Sequence, residues 1–285
     1  MTRIIESLSE IAPQYDALFC DLWGCLHNGV RPFDEAVAAL RDFGAAGGTV
    51  VLLTNSPRPT PSVIEQLDGM GVPRDLYHAV ASSGDAARDA LASGMFGEKV
   101  YHIGPERDLG FFDGMPVERV PLTEAEGIVC TGLNDDSTET PDDYRDVILY
   151  GQTHGLKMLN ANPDIFVDRG DQRIYCAGAI AQAYEAAGGE AMAFGKPHAP
   201  IYVLARRKLA EARGEDVSDG RILCVGDGIA TDIAGGVGEG FDTLFVTGGL
   251  AAEETRTDRQ PDPGKLEAFL GKHDLSPTAA IGKLR

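Results

Sequence analysis

Positive charge is scarce in this chain. Its 285 residues hold 25 lysines and arginines against 44 aspartates and glutamates, a formal net charge of −19. That balance argues against nucleic acid or an anionic membrane as a partner. It does not exclude a small anionic substrate, because a site can carry its own local positive potential. No apolar run approaches the roughly 20 residues that cross a bilayer. The opening stretch MTRIIESLSEIAPQ is too polar to read as a signal peptide. Cysteines number five, an odd count without a Cys-x-x-Cys pair, which fits reduced thiols in a cytoplasm rather than a disulfide framework. Cys20, Cys130 and Cys224 sit in apolar runs, as small core residues do. Internal repeats, low-complexity tracts and long Pro/Ser linkers are missing too. The composition is otherwise that of an ordinary globular protein, and the length suits two domains.

What the chain does contain is a series of short apolar runs that end abruptly in polar residues. Ala17, Leu18, Phe19 and Cys20 read as a strand buried on both faces, stopping at Asp21. Gly24 then gives the backbone freedom to turn. Residues 49–53 form a second such strand, ending at Thr54-Asn55. Helices are expected at 34–43, 85–91, 142–150 and 177–187, and one that opens with Thr60-Pro61 as N-cap and first helical residue. Strands at 99–103, 127–130 and 156–159 make a second α/β unit placed inside the first. The core pattern is expected to return with a strand at 191–194, ending at Gly195-Lys196-Pro197, and a helix follows. A further strand at 222–225 ends at Gly226-Asp227, and Asp232 comes one turn later.

Four buried strands would therefore deliver Asp21, Thr54-Asn55, Lys196 and Asp227 from their carboxyl ends. In a parallel sheet those ends share one edge, where open α/β sheets build their sites. Asp21, Asp227 and Asp232 would supply oxygen ligands for a hard divalent cation, best matched by Mg²⁺. Lys196, the Thr54 hydroxyl and the Asn55 amide would supply charge and donors for a bound oxyanion. Asp21 would then act as nucleophile toward a phosphoryl group. Each residue also has a plainer reading taken singly. Asp21 and Asp227 would end strands in turns, and Lys196 would be a solvated surface lysine. The GDGxxxDI spacing and the convergence of the set favour the site.

These motifs resemble those of the haloacid dehalogenase superfamily. The segments are FCDLWGCLHNG, LLTNSPRP, ANPD at Ala161 to Asp164, CAGAIAQAYEAAGG, FGKPHAPIY and VGDGIATDIAGG. The similarity is to its phosphatases with a large α/β cap between the second and third motifs. It implies a Rossmann-like, doubly wound parallel-sheet core with an inserted α/β cap domain. The expected division is 1–81 for the first part of the core, 82–190 for the cap and 191–285 for the second part of the core. The resemblance further implies Asp21 as phosphoryl acceptor and metal ligand, and Asp227 as second carboxylate ligand. Asp232 would be a further ligand or a support, and the Trp23 carbonyl would complete the protein's share of the Mg²⁺ shell. Thr54 and Asn55 would hold phosphoryl oxygens, and Lys196 would neutralise nucleophile and phosphate. The partner implied is a small phosphorylated metabolite. The substrate's identity stays open, as does assembly into a homo-oligomer.

One position departs from the family pattern. Its first motif reads Asp-x-Asp-Gly, and the second Asp protonates the leaving group and later activates water; here that position is Trp23. Loss of a positioned acid/base lowers rates by ~10²–10⁴-fold. Cys25 and His27 are the neighbouring side chains that could carry a proton instead. Two alternatives therefore stand beside a Mg²⁺-dependent phosphatase. One is a catalytically impaired protein that binds a phosphorylated metabolite. The other is an enzyme attacking carbon through Asp21, as dehalogenases do.

Overall fold

In the computed structural model, which describes residues 1–170 and 172–285, the chain opens with β1 (Arg3–Ile4), β2 (Ala17–Cys20) and α1 (Asp34–Ala45). It continues with β3 (Thr49–Thr54), α2 (Thr60–Gly69), β4 (Ala79–Ser82) and α3 (Ser83–Ala92). A second group follows: β5 (Lys99–Ile103), β6 (Glu118–Arg119), β7 (Gly127–Cys130), α4 (Arg145–Thr153) and β8 (Lys157–Asn160). That group ends with β9 (Phe166–Arg169), β10 (Gln172–Tyr175), α5 (Ala177–Ala186) and β11 (Glu190–Ala193). The last stretch holds α6 (Ala199–Arg213), β12 (Ile222–Gly226), α7 (Ala234–Gly238), β13 (Asp242–Val246), α8 (Pro263–His273) and β14 (Ala279–Ile281).

Seven strands form the larger sheet, in the order β1-β14-β13-β12-β2-β3-β4, with every pairing parallel. Its near-continuous apolar strands follow from burial on both faces. Leu18, Cys20, Val50, Leu52, Leu223 and Val225 pack on one side with Leu40 and Phe43 of α1 and Val63 and Leu67 of α2. The alternate residues Phe19, Val51, Leu53, Ile222 and Cys224 pack on the other side with Ile201, Leu204 and Leu209 of α6. The sheet is thus wound with helices on both faces, as expected.

The second group makes a smaller parallel sheet, β11-β8-β7-β5-β6, and an antiparallel hairpin, β9–β10. Ile128, Cys130 and Met158 pack on one face with Ile148 of α4 and Ile180 and Tyr184 of α5. Val100, Val129 and Leu159 pack on the other with Leu91 of α3 and Phe111. This is the cap.

Two expectations are corrected, and one element is new. The strand expected at 191–194 to resume the core is β11, which pairs in register with β8 at the edge of the cap sheet. The chain therefore re-enters the large sheet only at β12, not at residue 191. Its apolar residues fit either sheet equally well, so periodicity could not choose. Thr60 is not the N-cap of α2: Pro59 is, and the Thr60 hydroxyl donates to Asp85 Oδ2 at 2.5 Å. The β9–β10 hairpin was not expected, because its residues FVDR and QRIY lack an apolar face. Among the described residues no helix is long and apolar enough to cross a membrane.

Candidate active site

The neighbouring order β12–β2–β3 sets three strand ends side by side. Register pairs Val225 with Cys20 and Cys20 with Leu52, so Asp227, Asp21 and Thr54 emerge at one edge. The Asp21 N–H donates to Val225 O at 2.8 Å, extending the ladder one residue beyond β2. Gly24 then reverses the chain at φ +73°, and its N–H donates to His27 O. A Cβ there would lie 2.1 Å from Asp227 Oδ2, so the turn and the carboxylate are in direct contact. Only glycine satisfies both the backbone angle and the approach.

Lys196 reaches the same place from the loop after β11, not from the large sheet. Its side chain is 2 % exposed. Nζ donates to Asp21 Oδ1 at 2.5 Å, to Asp232 Oδ1 at 2.7 Å and to Leu53 O at 3.0 Å. All three ammonium protons are thereby used. The loop is fixed by Asn55: Lys196 N–H donates to Asn55 Oδ1 at 2.7 Å, and Asn55 Nδ2 donates to Lys196 O at 3.1 Å. Asn55 Nδ2 also donates to Asp164 Oδ1 at 2.8 Å, which ties the ANPD segment of the cap to the core. The Thr54 hydroxyl accepts from Ser56 N–H at 3.1 Å, so its own proton is free to donate.

The expected metal residues divide in two. Asp21 and Asp227 each place an oxygen, and Cys25 its sulfur, all within 4.8 Å of one another, the one such group of three among the described residues. Leu250 N–H donates to Asp227 Oδ2 at 3.0 Å. Asp232 stands behind them, with Oδ1 on Lys196 and Oδ2 accepting from Gly228 N–H at 3.1 Å. Electrostatics match this crowding of carboxylates. Burial pushes Asp21 up to about 7 against the opposing pull of Lys196, with Asp232 and Asp164 raising it further. Burial and the neighbouring Asp21 carboxylate hold Asp227 well above its usual range. Burial alone would lower Lys196, but Asp21, Asp232 and Asp164 keep it charged far above its ordinary range. One ammonium faces several carboxylates, and the excess is negative.

Trp23 is half-buried, with its ring set edge-on to His27 at a centroid distance of 5.2 Å. It lies against Gly29, where a Cβ would come within 2.3 Å of the indole. The two candidate proton carriers beside it are poorly suited. Burial pushes His27 down to about 4, and its Nδ1 accepts from Gly29 N–H at 3.0 Å. Burial and the charges of Asp227 and Asp21 hold the Cys25 thiol well above its usual range. A cavity of about 330 Å³ joins Asp21, Trp23, Lys196 and Asp227 to Asp164 and to the cap residues Arg107 and Arg169. Asp164 and the cavity arginines were not singled out from the sequence. Asp164 at least sits in a recognisable motif, whereas Arg107, after β5, and Arg169, at the end of β9, are isolated basic residues outside any motif.

The chain matches the family model of haloacid dehalogenase-like hydrolases over residues 18–117, and a second, HAD-hydrolase-like model over 193–268. A crystal structure of a haloacid dehalogenase-like hydrolase from Brucella suis is 43 % identical, with a TM-score of 0.89 over 99 % of this chain and 100 % of that one. The protein belongs to the haloacid dehalogenase-like family. The 5′-nucleotidase YutF of Bacillus subtilis is 28 % identical over 87 % of this chain and 93 % of its own. An acid sugar phosphatase of Staphylococcus aureus is 26 % identical over 88 % of this chain and 93 % of its own.

Proposed function

We propose that this protein is a phosphoric monoester hydrolase that transfers the phosphoryl group of a small metabolite to Asp21. The observation that carries the reading is Lys196 Nζ, fixed between Asp21 and Asp232, with Asp227 lining the same cavity. The relatives named as a 5′-nucleotidase and an acid sugar phosphatase support hydrolysis of a phosphate ester.

Two buried carboxylates within 4.8 Å that are short of positive charge fit a hard divalent cation. Asp21, Asp227 and the Trp23 carbonyl would hold Mg²⁺, with Asp232 bracing Lys196 behind them. When bound, the ion offsets the charge of these carboxylates and of the phosphate oxygens. Lys196 holds Asp21 Oδ1 in place, and the Thr54 hydroxyl donates to a phosphoryl oxygen. Asn55, already bonded to Lys196 and Asp164, acts as the clamp that positions them. A carboxylate oxygen of Asp21 attacks phosphorus, and the ester P–O bond breaks with its electron pair going to the leaving oxygen. Water then attacks phosphorus of the aspartyl phosphate, releasing phosphate and restoring Asp21.

The Trp23 indole N–H is too weak an acid to protonate the leaving oxygen, so leaving groups stable as anions are favoured. The test is kcat/KM for 4-nitrophenyl phosphate against glycerol 3-phosphate. A bias toward the aryl ester on the order of 10²–10⁴ is expected, and Trp23→Asp should narrow it by speeding the alkyl ester. Equal rates in the parent would show that another residue supplies the proton. Trp23 also favours a second reading, a protein that binds a phosphorylated metabolite without turning it over. Metal-dependent binding with no phosphate release, and release gained in Trp23→Asp, would establish that instead.

A further inference from the structure

In a chain of net charge −19, three arginines line the cavity that holds Asp21 and Lys196: Arg58, Arg107 and Arg169. They arrive from separate elements, namely the loop after β3, the turn after β5 and the end of β9. Arg58 Nε donates to Asp108 Oδ1 at 3.1 Å and its Nη1 to Gln66 Oε1 at 3.2 Å. Asp136 lies between the other two. Arg169 donates Nη2 to Asp136 Oδ2 at 2.9 Å and Nη1 to Oδ1 at 3.3 Å, and Arg107 Nη2 bonds the same Oδ2.

Geometry decides which partner a ligand meets. The Asp136 side chain is 11 % exposed, whereas those of Arg107 and Arg169 are 44 % and 40 % exposed. The carboxylate is the more enclosed brace, and the two arginine side chains are the more exposed partners. Each guanidinium has five N–H donors in a planar fork, and these contacts leave donors over on all three. The carboxylates these arginines bond, Asp108 and Asp136, are fewer than the three guanidinium groups. The nearby Asp168 adds none of its own demand, because Arg173 engages both its oxygens, at 2.8 and 3.0 Å. Planar forks of this kind suit carboxylate and phosphate oxygens.

We propose that the substrate carries a second anionic group besides the scissile phosphate, a carboxylate or another phosphate, held by Arg107 and Arg169 with Arg58 alongside. This rests on the phosphatase reading for the first phosphate. A cavity of about 330 Å³ limits the whole to a small metabolite. Specificity then comes from pairing two charged sites at a fixed separation, Lys196 with the cation at one end and the arginine pair at the other.

Binding can be measured apart from turnover, in Asp21→Asn protein with Mg²⁺, by calorimetry on matched pairs. 3-Phosphoglycerate against glycerol 3-phosphate tests the carboxylate, and fructose 1,6-bisphosphate against fructose 6-phosphate tests the phosphate. In one of the two pairs the extra anion should tighten binding about tenfold or more, and Arg107→Met with Arg169→Met should reduce the ratio to near one. Equal affinities within both pairs, or a preference that survives both substitutions, overturns the proposal. Phosphate release from 4-nitrophenyl phosphate by the unsubstituted protein tests the phosphatase reading separately.

Discussion

Lys196 is the residue on which the site's electrostatics turn. It is an ammonium taken out of water and given three acceptors, two of them carboxylates. Removing one partner of such a buried set leaves uncompensated charge. Lys196→Met should therefore destabilise the metal-free protein by about 3–5 kcal/mol, measured by denaturant unfolding at neutral pH. A loss below 1 kcal/mol would mean that water already screens these groups. Asp21 sets the pH dependence. Its folded pKa, about 7, lies above the ordinary 3.8, so the native state binds more protons than the unfolded chain between those values. Stability without metal should fall as pH rises from about 4 to about 7. A divalent cation opposes that fall, so the rise in melting midpoint on adding Mg²⁺ should be larger at pH 8 than at pH 5. An equal rise at both would show that Asp21 does not meet the ion.

At the scale of elements, the turn after β2 joins catalytic geometry to backbone conformation. Gly24→Ala would force a side chain into the left-handed region and into the Asp227 carboxylate. It should weaken Mg²⁺ binding at least tenfold and lower stability by roughly 1–3 kcal/mol, read by calorimetry and thermal melting. Unchanged affinity would separate the turn from the ion site. Elements also show what could be read in advance. The runs at Ala17–Cys20 and Ile222–Gly226 are apolar throughout and end in aspartate, so both the strands and the site at their ends were legible. The run at residues 191–194 is apolar too and is followed by Gly195-Lys196, yet its strand belongs to the cap. Its strand is a half-exposed edge of the cap sheet, but a short apolar run reads alike in either sheet, and only long-range pairing separates them. The hairpin Phe166–Arg169 with Gln172–Tyr175 was illegible for a different reason: its first strand is half-exposed, its second is exposed save for Ile174, and neither carries an apolar run.

Across the whole molecule, the site is a product of both units. The core supplies Asp21, Thr54, Asn55 and Asp227, and the loop leaving the cap's edge strand supplies Lys196. Cap and core meet at Asn55 with Asp164, at Arg58 with Asp108, and at Gly170 N–H donating to Asn28 O at 3.0 Å. Sequence motifs marked the core half, because its residues sit at strand ends in recognisable segments. The cap's arginines, one after β5 and one at the end of β9, meet only through tertiary packing, which is why they went unread. Within this acidic chain, Lys196 and the cavity arginines place cationic donors locally beside the carboxylates of the site.

Phosphate release from 4-nitrophenyl phosphate, followed with Mg²⁺ and again after EDTA, in the parent and in Asp21→Asn, tests the central claim most directly. Release that requires the metal and is lost in Asp21→Asn is the predicted result. Release that persists in EDTA or in Asp21→Asn would contradict a metal-assisted transfer to this carboxylate.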